Sequence, residues 1–243
     1  MSCLAEQAKI LFTEAEENNL SNNAMNERWG RWHTCGMCEQ RYHGVVSCAL
    51  GWACWKTYLD RPNTEPALRM AMSQLGNGLN GSRRYMDALS VREAELSMLQ
   101  RIGGAGEHIS RVQSNVAIAY AELGRLEEAT WMQREVYSAY VRNYGEEHRD
   151  TFRGADNYAT SLLALGRFEE GKSVLCKTIP VAQRVPGGSD AVTLKLWWSY
   201  ASALCENARP TLDDLREAVD TFEEIRTDRA ARARRRAPSC VAY

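Results

Sequence analysis

The chain has 243 residues, of which 44% are hydrophobic and 25% charged, with a formal net charge of −1 at pH 7. This length fits one large or two small domains, and the balanced charge gives no general reason to expect a nucleic-acid partner. The amino-terminal stretch has neither the basic start nor the apolar run of a secretory signal. The longest apolar run, residues 45–55, is about half the ~20 residues that span a bilayer. We therefore expect a cytoplasmic or nuclear protein with no membrane partner.

Three cysteines mark the first segment of the chain, residues 1–43. Cys35 and Cys38 form a C-x-x-C pair followed by Tyr42, and Cys3 precedes them by a helical spacer. One C-x-x-C pair supplies half of a tetrahedral zinc site. A cysteine, a helical spacer and a closing C-x-x-C resemble the second half of a RING-CH-type zinc finger. The resemblance implies that Cys3, Cys35 and Cys38 bind zinc and, for a complete finger, that the protein is a ubiquitin ligase.

The match to that finger is incomplete, because its opening C-x-x-C and C-x-C pairs have no counterpart in this sequence. In the cross-braced arrangement of the family, Cys3 would serve one zinc ion and Cys35 with Cys38 the other. Neither site then reaches four ligands. Two interpretations stay open: free thiols in an incomplete finger, or zinc held with the help of nearby side chains, namely His33, His43, Cys48 or Cys54.

The second segment, residues 44–66, is expected to supply a capping helix and a linker. The first repeat of a stacked array exposes an apolar end that something has to cover. An apolar helix predicted over residues 43–59 can do so by packing its cysteine and tryptophan side chains together, namely Cys48, Trp52, Cys54 and Trp55.

A glycine pattern follows, in which Gly76, Gly78 and Gly81 match the G-x-G-x-x-G fingerprint of dinucleotide-binding proteins. That fingerprint requires a preceding strand and a helix that opens at its end. Here the preceding residues, ALRMAMSQL, are typical of a helix. We therefore interpret the glycines as a helix end and turn, and not as a nucleotide site.

The remainder of the chain repeats itself. The sequence GRLEEA at residues 124–129 returns as GRFEEG at residues 166–171, a step of 42, and the same step relates Ala117, Ala159 and Ala201. A fixed period of this size is typical of stacked helical repeats, which bury their apolar faces only against their neighbours. The three alanines are expected to lie where paired helices approach each other closely.

We predict four helix pairs within residues 67–232. Glycine at residues 81, 124 and 166 fits helix ends that need a positive φ, while Pro210 and Thr211 end the turn of the fourth pair. Pro180 predicts a kink or an early helix end, and Cys176 and Cys205 are expected to be buried. The predicted helices cover residues 67–79, 84–102, 109–123, 126–143, 151–165, 168–184, 191–207 and 212–232.

The 42-residue period, the G-R-x-E-E-A turn and the GEEHRDT loop from Gly145 resemble the tetratricopeptide (TPR) repeats of kinesin light chains. Ordinary TPR units repeat at about 34 residues, so the longer period is the distinguishing detail. The resemblance covers about two thirds of the chain. It implies an all-α, right-handed TPR-type solenoid that binds peptide segments in its inner groove. It does not imply kinesin binding, because the sequence lacks the heptad coiled coil that joins a light chain to its motor.

Two polar positions recur with the repeat and supply the candidate binding site. They lie four residues apart on each first helix and therefore share one face. Such a stripe can bind carboxylates through its cations and a peptide backbone through its amides; the alternative is a solvated helix face that repeats by chance. The aligned first-unit residues, one step of 41 back, are Met70 and Gln74. The predicted peptide-binding residues are Arg111, Asn115, Arg153, Asn157, Lys195 and Ser199.

We find no set of residues that predicts catalysis, and His108 and His148 are interpreted as loop or capping residues that precede repeat helices. Residues 233–243 form a basic tail. The sequence thus predicts a non-catalytic scaffold that binds an acidic or extended peptide segment of a protein partner. A RING-CH-type ubiquitin ligase with an incomplete finger is the alternative, and a stable fold without a partner is the third.

Overall fold

The computed structural model describes residues 2–185, 191–207 and 210–236, with side chains as far as residue 227. Apart from a single antiparallel bridge between Thr34 and Arg41, the regular structure of these residues is helical. The helices are α1 Ser2–Glu17, α2 Asn22–Trp29, a 3-10 turn Gly30–Trp32, α3 Gly44–Tyr58, α4 Pro66–Gly81, α5 Tyr85–Arg101, α6 Gly106–Glu122, α7 Leu126–Tyr144, α8 Arg149–Ala164, α9 Phe168–Arg184, α10 Ala191–Glu206 and α11 Leu212–Arg236.

The chain forms two compact units, residues 1–125 and 126–243. In the first unit, α3 packs on α4, α4 on α5 and α5 on α6. In the second, α7 packs on α8, α8 on α9, α9 on α10 and α10 on α11. Within the described ranges, no helix is both long enough and apolar enough to cross a bilayer. The predicted all-α architecture of successive helix pairs is confirmed.

An aromatic cluster builds the amino-terminal segment into the first unit. The rings of Phe12 and Trp29 meet edge-on with centroids 4.9 Å apart, and Trp32 and Tyr58 do so at 6.1 Å. Cys54 lies in the same cluster, fully buried. Because these side chains come from α1, α2, the 3-10 turn and α3, residues 2–32 share one core with the helix that caps the repeats.

Helix α3 covers the first repeat helix, as predicted. Cys48 packs with Leu75 and Leu79 of α4, and Trp52 and Trp55 flank that contact. The two cysteines of α3 therefore separate: Cys48 faces the repeat, whereas Cys54 joins the aromatic cluster. The expectation that both pack with the two tryptophans was correct for Cys48 only.

The repeat periodicity is confirmed by burial. Ala117 is 1% exposed, and Ala159 and Ala201 are both 0% exposed. In the second unit the space between α8 and α9 is also kept narrow by Gly171, where an added Cβ would come 2.9 Å from Leu163 Cδ2 and 3.3 Å from the carbonyl oxygen of Ala159. Close helix packing is thus encoded by small residues on both partners.

The predicted positive φ is found at two of the three turns. Gly124 has φ of 77° and Gly166 of 78°, but Gly81 is the last residue of α4. In the first pair Arg83 takes the left-handed conformation instead, with φ of 60°. The positive φ moves to Arg83 because α4 continues to Gly81, so that the chain reverses two residues later. The turn is closed by the amide of Arg84, which donates to the carbonyl of Leu79 at 2.9 Å.

Replacing Arg83 with glycine should stabilise the protein. A non-glycine residue in the left-handed region costs about 1–2 kcal/mol, and the larger unfolded-state entropy of glycine offsets part of this. We expect the free energy of unfolding to rise by about 0.5–1 kcal/mol in urea denaturation. Gly166→Ala is the matched control and should lose about 1 kcal/mol. A loss on Arg83→Gly would contradict the assignment of this turn.

Three further expectations need correction. Of the kink or early end predicted at Pro180, the early end does not occur, because helix α9 continues to Arg184; the proline lies at an exposed position. Cys176 and Cys205 are exposed and not buried. Helix α11 runs to Arg236, beyond the predicted end at residue 232. The remainder of the predicted tail, residues 237–243, lies outside the described residues.

Candidate functional site

A cavity of about 430 Å³ opens in the first unit among α2, the 3-10 turn, α4, α5 and α6. It is lined by two predicted site residues, Arg111 and Asn115, and by Met70 and Gln74, their aligned positions in the first repeat. The repeat alignment therefore identified four residues that come together around one cavity. The wall opposite α4 and α6 contains side chains of the amino-terminal segment: Asn26, Trp29 and His33.

The floor of this cavity is a buried polar network. Arg92 and Glu95, on one face of α5, are 3% and 2% exposed, and Arg92 Nη1 lies 3.1 Å from Glu95 Oε2. Arg92 Nη2 also donates to Asn77 Oδ1 at 2.5 Å, and Ser73 Oγ donates to Glu95 Oε1 at 2.5 Å. Both ends of the ion pair are thus tied to α4. Burial lowers the pKa of Arg92, while the adjacent Glu95 carboxylate opposes that shift.

Two unpaired guanidinium groups stand around the cavity. Arg69 is half-buried and Arg111 exposed, and within the described part of the chain neither forms an ion pair with a carboxylate. Arg111 Nη2 lies 2.9 Å from Nδ1 of His108 and donates to it when the imidazole is neutral. Burial lowers the pKa of His108, and Arg111 and Arg69 lower it further. The carboxylates of Glu107 and Glu95 oppose this shift.

A second cavity of about 350 Å³ adjoins the first, and His33, Gln74 and Asn77 line both. Gln74 is 4% exposed, and its amide nitrogen donates to the carbonyl of Trp32 at 3.2 Å. The other lining residues lie in the hairpin that connects the 3-10 turn to α3, at the start of α3 and at the end of α4: Arg41, Tyr42, His43, Gly44, Ser47 and Gly81. None of the residues that line this second cavity carries a carboxylate.

The C-x-x-C pair lies in a tight hairpin between the 3-10 turn and α3. The amide of Cys35 bonds the carbonyl of Gln40 at 2.8 Å, and the amide of Glu39 bonds that of Cys35 at 3.0 Å. Backbone amides of Cys38 and Met37 face the Cys35 sulfur and lower its pKa to about 7. The geometry favours a thiolate at this position.

The described residues do not bring the three predicted zinc ligands together. Cys3 is exposed on α1, and nowhere in the described ranges do three histidine, cysteine or acidic side chains meet in a way that could hold a metal ion. Cys35 and Cys38 therefore present two thiols, which is half of a tetrahedral set.

In the second unit, two of the predicted cations are paired with acids. Arg153 Nη2 lies 2.6 Å from Asp150 Oδ1. Lys195 Nζ lies 2.7 Å from Oδ2 of Asp156, an ionic contact without the alignment of a hydrogen bond. Asp156 is 0% exposed. These carboxylates weaken the attraction of both cations for an acidic ligand.

Ser199 differs from the position expected of a groove residue. It is 7% exposed, and its hydroxyl donates to Asp156 Oδ1 at 2.6 Å. Asn157, by contrast, is half-buried on α8. Asp156 of α8 accepts a hydrogen bond from Ser199 and pairs with Lys195, and both of these residues belong to α10. Ser199 thus helps to anchor α10 to α8.

Sequence reasoning missed several residues of the site. Arg69 stands one position before Met70, and the repeat alignment matched Met70 and not Arg69 to Arg111. Asp156 precedes the predicted Asn157 in sequence, and it was not considered as a partner of Lys195 and Ser199. Arg41 lies in the hairpin, outside the repeats, and no periodic signal could have identified it.

No family model and no curated protein matches the chain. Among solved structures, the chain is similar to two crystal structures of the nearly identical TPR-like repeats of a Podosopora anserina protein described as a kinesin light chain. The first has a TM-score of 0.61 at 15% identity and covers 96% of this chain and 99% of the other. The second has a TM-score of 0.58 at 15% identity, with 95% and 98% covered.

BtubC (BKLC) from P. vanneervenii is also similar, with a TM-score of 0.55, 16% identity and coverage of 77% of this chain and 91% of the other. At identities this low the likeness concerns the fold. The chain accordingly has the all-α fold of kinesin-light-chain-like TPR repeats.

Proposed function

We propose that this protein is a non-catalytic scaffold that binds an acidic, extended peptide segment of a protein partner at the cavity of its first unit. The observation that carries the proposal is the pair of guanidinium groups, Arg69 and Arg111, which line one cavity and have no carboxylate partner in the described structure. An incoming acidic side chain supplies the missing partner.

The chemistry of the cavity suits such a segment. Guanidinium groups form short, often bidentate hydrogen bonds with carboxylates. The amide of Asn115 offers both a donor and an acceptor to a peptide backbone. Glu95, the acid in the cavity wall, is 2% exposed and already accepts bonds from Arg92 and Ser73. The acid therefore stabilises the floor more than it repels a ligand.

The second unit has a lesser part in this proposal. Arg153 and Lys195 keep half or more of their side chains exposed, at 50% and 59%, and Asn157 accompanies them. Because both cations already have acid partners, they favour acidic ligands weakly. The hydroxyl of Ser199 is committed to Asp156 and is assigned no direct ligand contact.

Charge reversal of the cavity arginines tests the proposal. In a display library of acidic peptides, Arg69→Glu/Arg111→Glu should weaken binding by about 10- to 100-fold, because each charge-assisted hydrogen bond is worth about 1.5–3 kcal/mol. Raising the salt concentration should weaken the native interaction as well. Binding is measured by fluorescence polarisation with the peptides that the library yields.

Two controls make this test specific. Arg101→Glu reverses an exposed charge of the same unit outside the cavity lining and should leave affinity within about twofold. Arg153→Glu/Lys195→Glu, in the second unit, should do the same, because the cavity lies in the first unit and both cations already have acid partners. A library that yields no acidic peptide, or affinities that ignore the reversal of Arg69 and Arg111, would overturn the proposed function.

The RING-CH-type ubiquitin ligase remains the alternative, with less support. Its finger needs two complete zinc sites, and the described residues supply one pair of thiols, the half-buried Cys35 and the exposed Cys38. Stoichiometric zinc in the purified protein, lost on Cys35→Ser/Cys38→Ser, would favour it.

A further inference from the structure

Residues outside the repeats also line the cavities of the first unit. The two cavities of the first unit share the side chains of His33, Gln74 and Asn77, so they adjoin each other beside α4. Gln74 is held in place by its bond to the carbonyl of Trp32, which is itself 0% exposed. Gln74 therefore holds a fixed position between the two adjoining cavities.

The second cavity is rich in donors and lacks acids. Arg41 is exposed and, within the described residues, forms no ion pair. The hydroxyl of Ser47 and the imidazole of His43 line the same space, together with Tyr42, whose phenol hydrogen-bonds the Cys35 sulfur, and His33, whose Nδ1 pairs with Thr34 Oγ1. A surface composed of one unpaired guanidinium and several neutral donors favours a carboxylate over a neutral or cationic group.

The hairpin that carries Arg41 is ordered by its own backbone. Thr34 and Arg41 form an antiparallel bridge, and the amide of Tyr42 bonds the carbonyl of His33 at 2.9 Å. The base of the hairpin follows directly on the buried Trp32. Arg41 therefore stands at a defined place beside α4, which reduces the entropy lost on binding a ligand.

We propose that this second cavity binds a second acidic group of the same peptide, so that the amino-terminal hairpin and the first repeat form one composite site. The partner is then an extended segment with two acidic positions, one at Arg69 and Arg111 and one at Arg41. This inference rests on the proposed function, since it needs a peptide in the first cavity.

The inference is tested by measuring the affinities of the native protein and of Arg41→Ala for two kinds of peptide. The probes are fluorescein-labelled Gly-Ser peptides that carry either one Glu-Glu pair or two such pairs, separated by spacers of about two to six residues because an extended chain advances about 3.3 Å per residue. The native protein should bind the best two-pair peptide about tenfold more tightly than the one-pair peptide. Arg41→Ala should remove this gain, so that the two-pair peptide binds no more tightly than the one-pair peptide.

Arg28→Ala is the matched control, because Arg28 is exposed on α2 and lines neither cavity; it should retain the gain. Equal affinity of the native protein for both peptides, or a gain that survives Arg41→Ala, overturns the inference. If Arg69→Glu/Arg111→Glu abolishes binding in that case, the proposed function stands without it. If the native protein binds neither peptide, both fail.

Discussion

Glu95→Ala should lower the free energy of unfolding of the first unit by about 3–5 kcal/mol, which is the cost of leaving one member of a buried ion pair without its partner. Arg92 is 3% exposed, and without Glu95 its described partner is Asn77 alone. The guanidinium cannot readily lose its proton. The folded state must then admit water to the floor of the cavity or hold a buried charge.

The loss should be local. Since Arg92 and Glu95 connect α5 to α4, hydrogen exchange should accelerate most in those two helices, and peptides from α10 in the other unit serve as the internal comparison. The measurement is native-state hydrogen exchange combined with urea denaturation. A uniform change below about 1 kcal/mol would show that the pair contributes little to the packing of α4 on α5.

A double variant separates charge from shape. Arg92→Met/Glu95→Leu removes both charges together and retains comparable volume, and replacement of a whole buried pair by apolar groups is often neutral or stabilising. It should therefore recover most of the stability that Glu95→Ala loses. If the double variant is as unstable as the single one, lost packing and not an unpaired charge is the cause.

The sequence predicted the repeats well because their signals are local or periodic. Ala117, Ala159 and Ala201 recur at one spacing and are all buried, and helix α9 has the predicted bounds. Turn chemistry gave Gly124 and Gly166 their positive φ. These features depend on helical period and on the steric freedom of glycine, which neighbouring residues in the sequence reveal.

The rest depends on which side chains meet across helices. Asp156 pairs with Lys195 and Ser199 and thereby joins two helices about forty residues apart in sequence. The repeat pattern had predicted that Lys195 and Ser199 are available to bind a peptide. Whether a cation is available for a partner is decided by its tertiary neighbours. Arg69 and Arg41 became candidates, and the predicted Arg111 remained one, because the structure leaves them without carboxylates around adjoining cavities.

The glycine pattern shows the same division between local and tertiary information. A helix and not a strand precedes these glycines, as the sequence interpretation expected, and that helix ends at Gly81, two residues beyond the predicted residue 79. Gly76 and Gly78 lie inside α4. An added Cβ at Gly76 would come 2.6 Å from Nε of Arg92, so this glycine leaves room for the buried ion pair.

Gly78→Ala should lower the free energy of unfolding by about 1–3 kcal/mol, the typical cost of overpacking, whereas Gly81→Ala on the same helix should raise it. At Gly78 an added Cβ would come 2.6 Å from the carbonyl oxygen of Ser47 and 2.9 Å from the Cα of Cys48. Both are backbone atoms of α3, so the helices must separate. At Gly81 nothing lies within 4 Å, and alanine gains about 0.5–1 kcal/mol of helix propensity.

The two substitutions add the same methyl group to one helix, so opposite signs in urea denaturation would isolate the contact between α3 and α4. Like signs would contradict the close packing of these helices at Gly78. The contact also positions the second cavity, because Ser47 lines it from α3 and Gln74 from α4. Gly78→Ala should therefore reduce the affinity gain of the two-pair peptide, whereas Gly81, which itself lines the second cavity, serves as the control for stability alone. Separation of the helices would thus weaken the site that the amino-terminal segment shares with the first repeat.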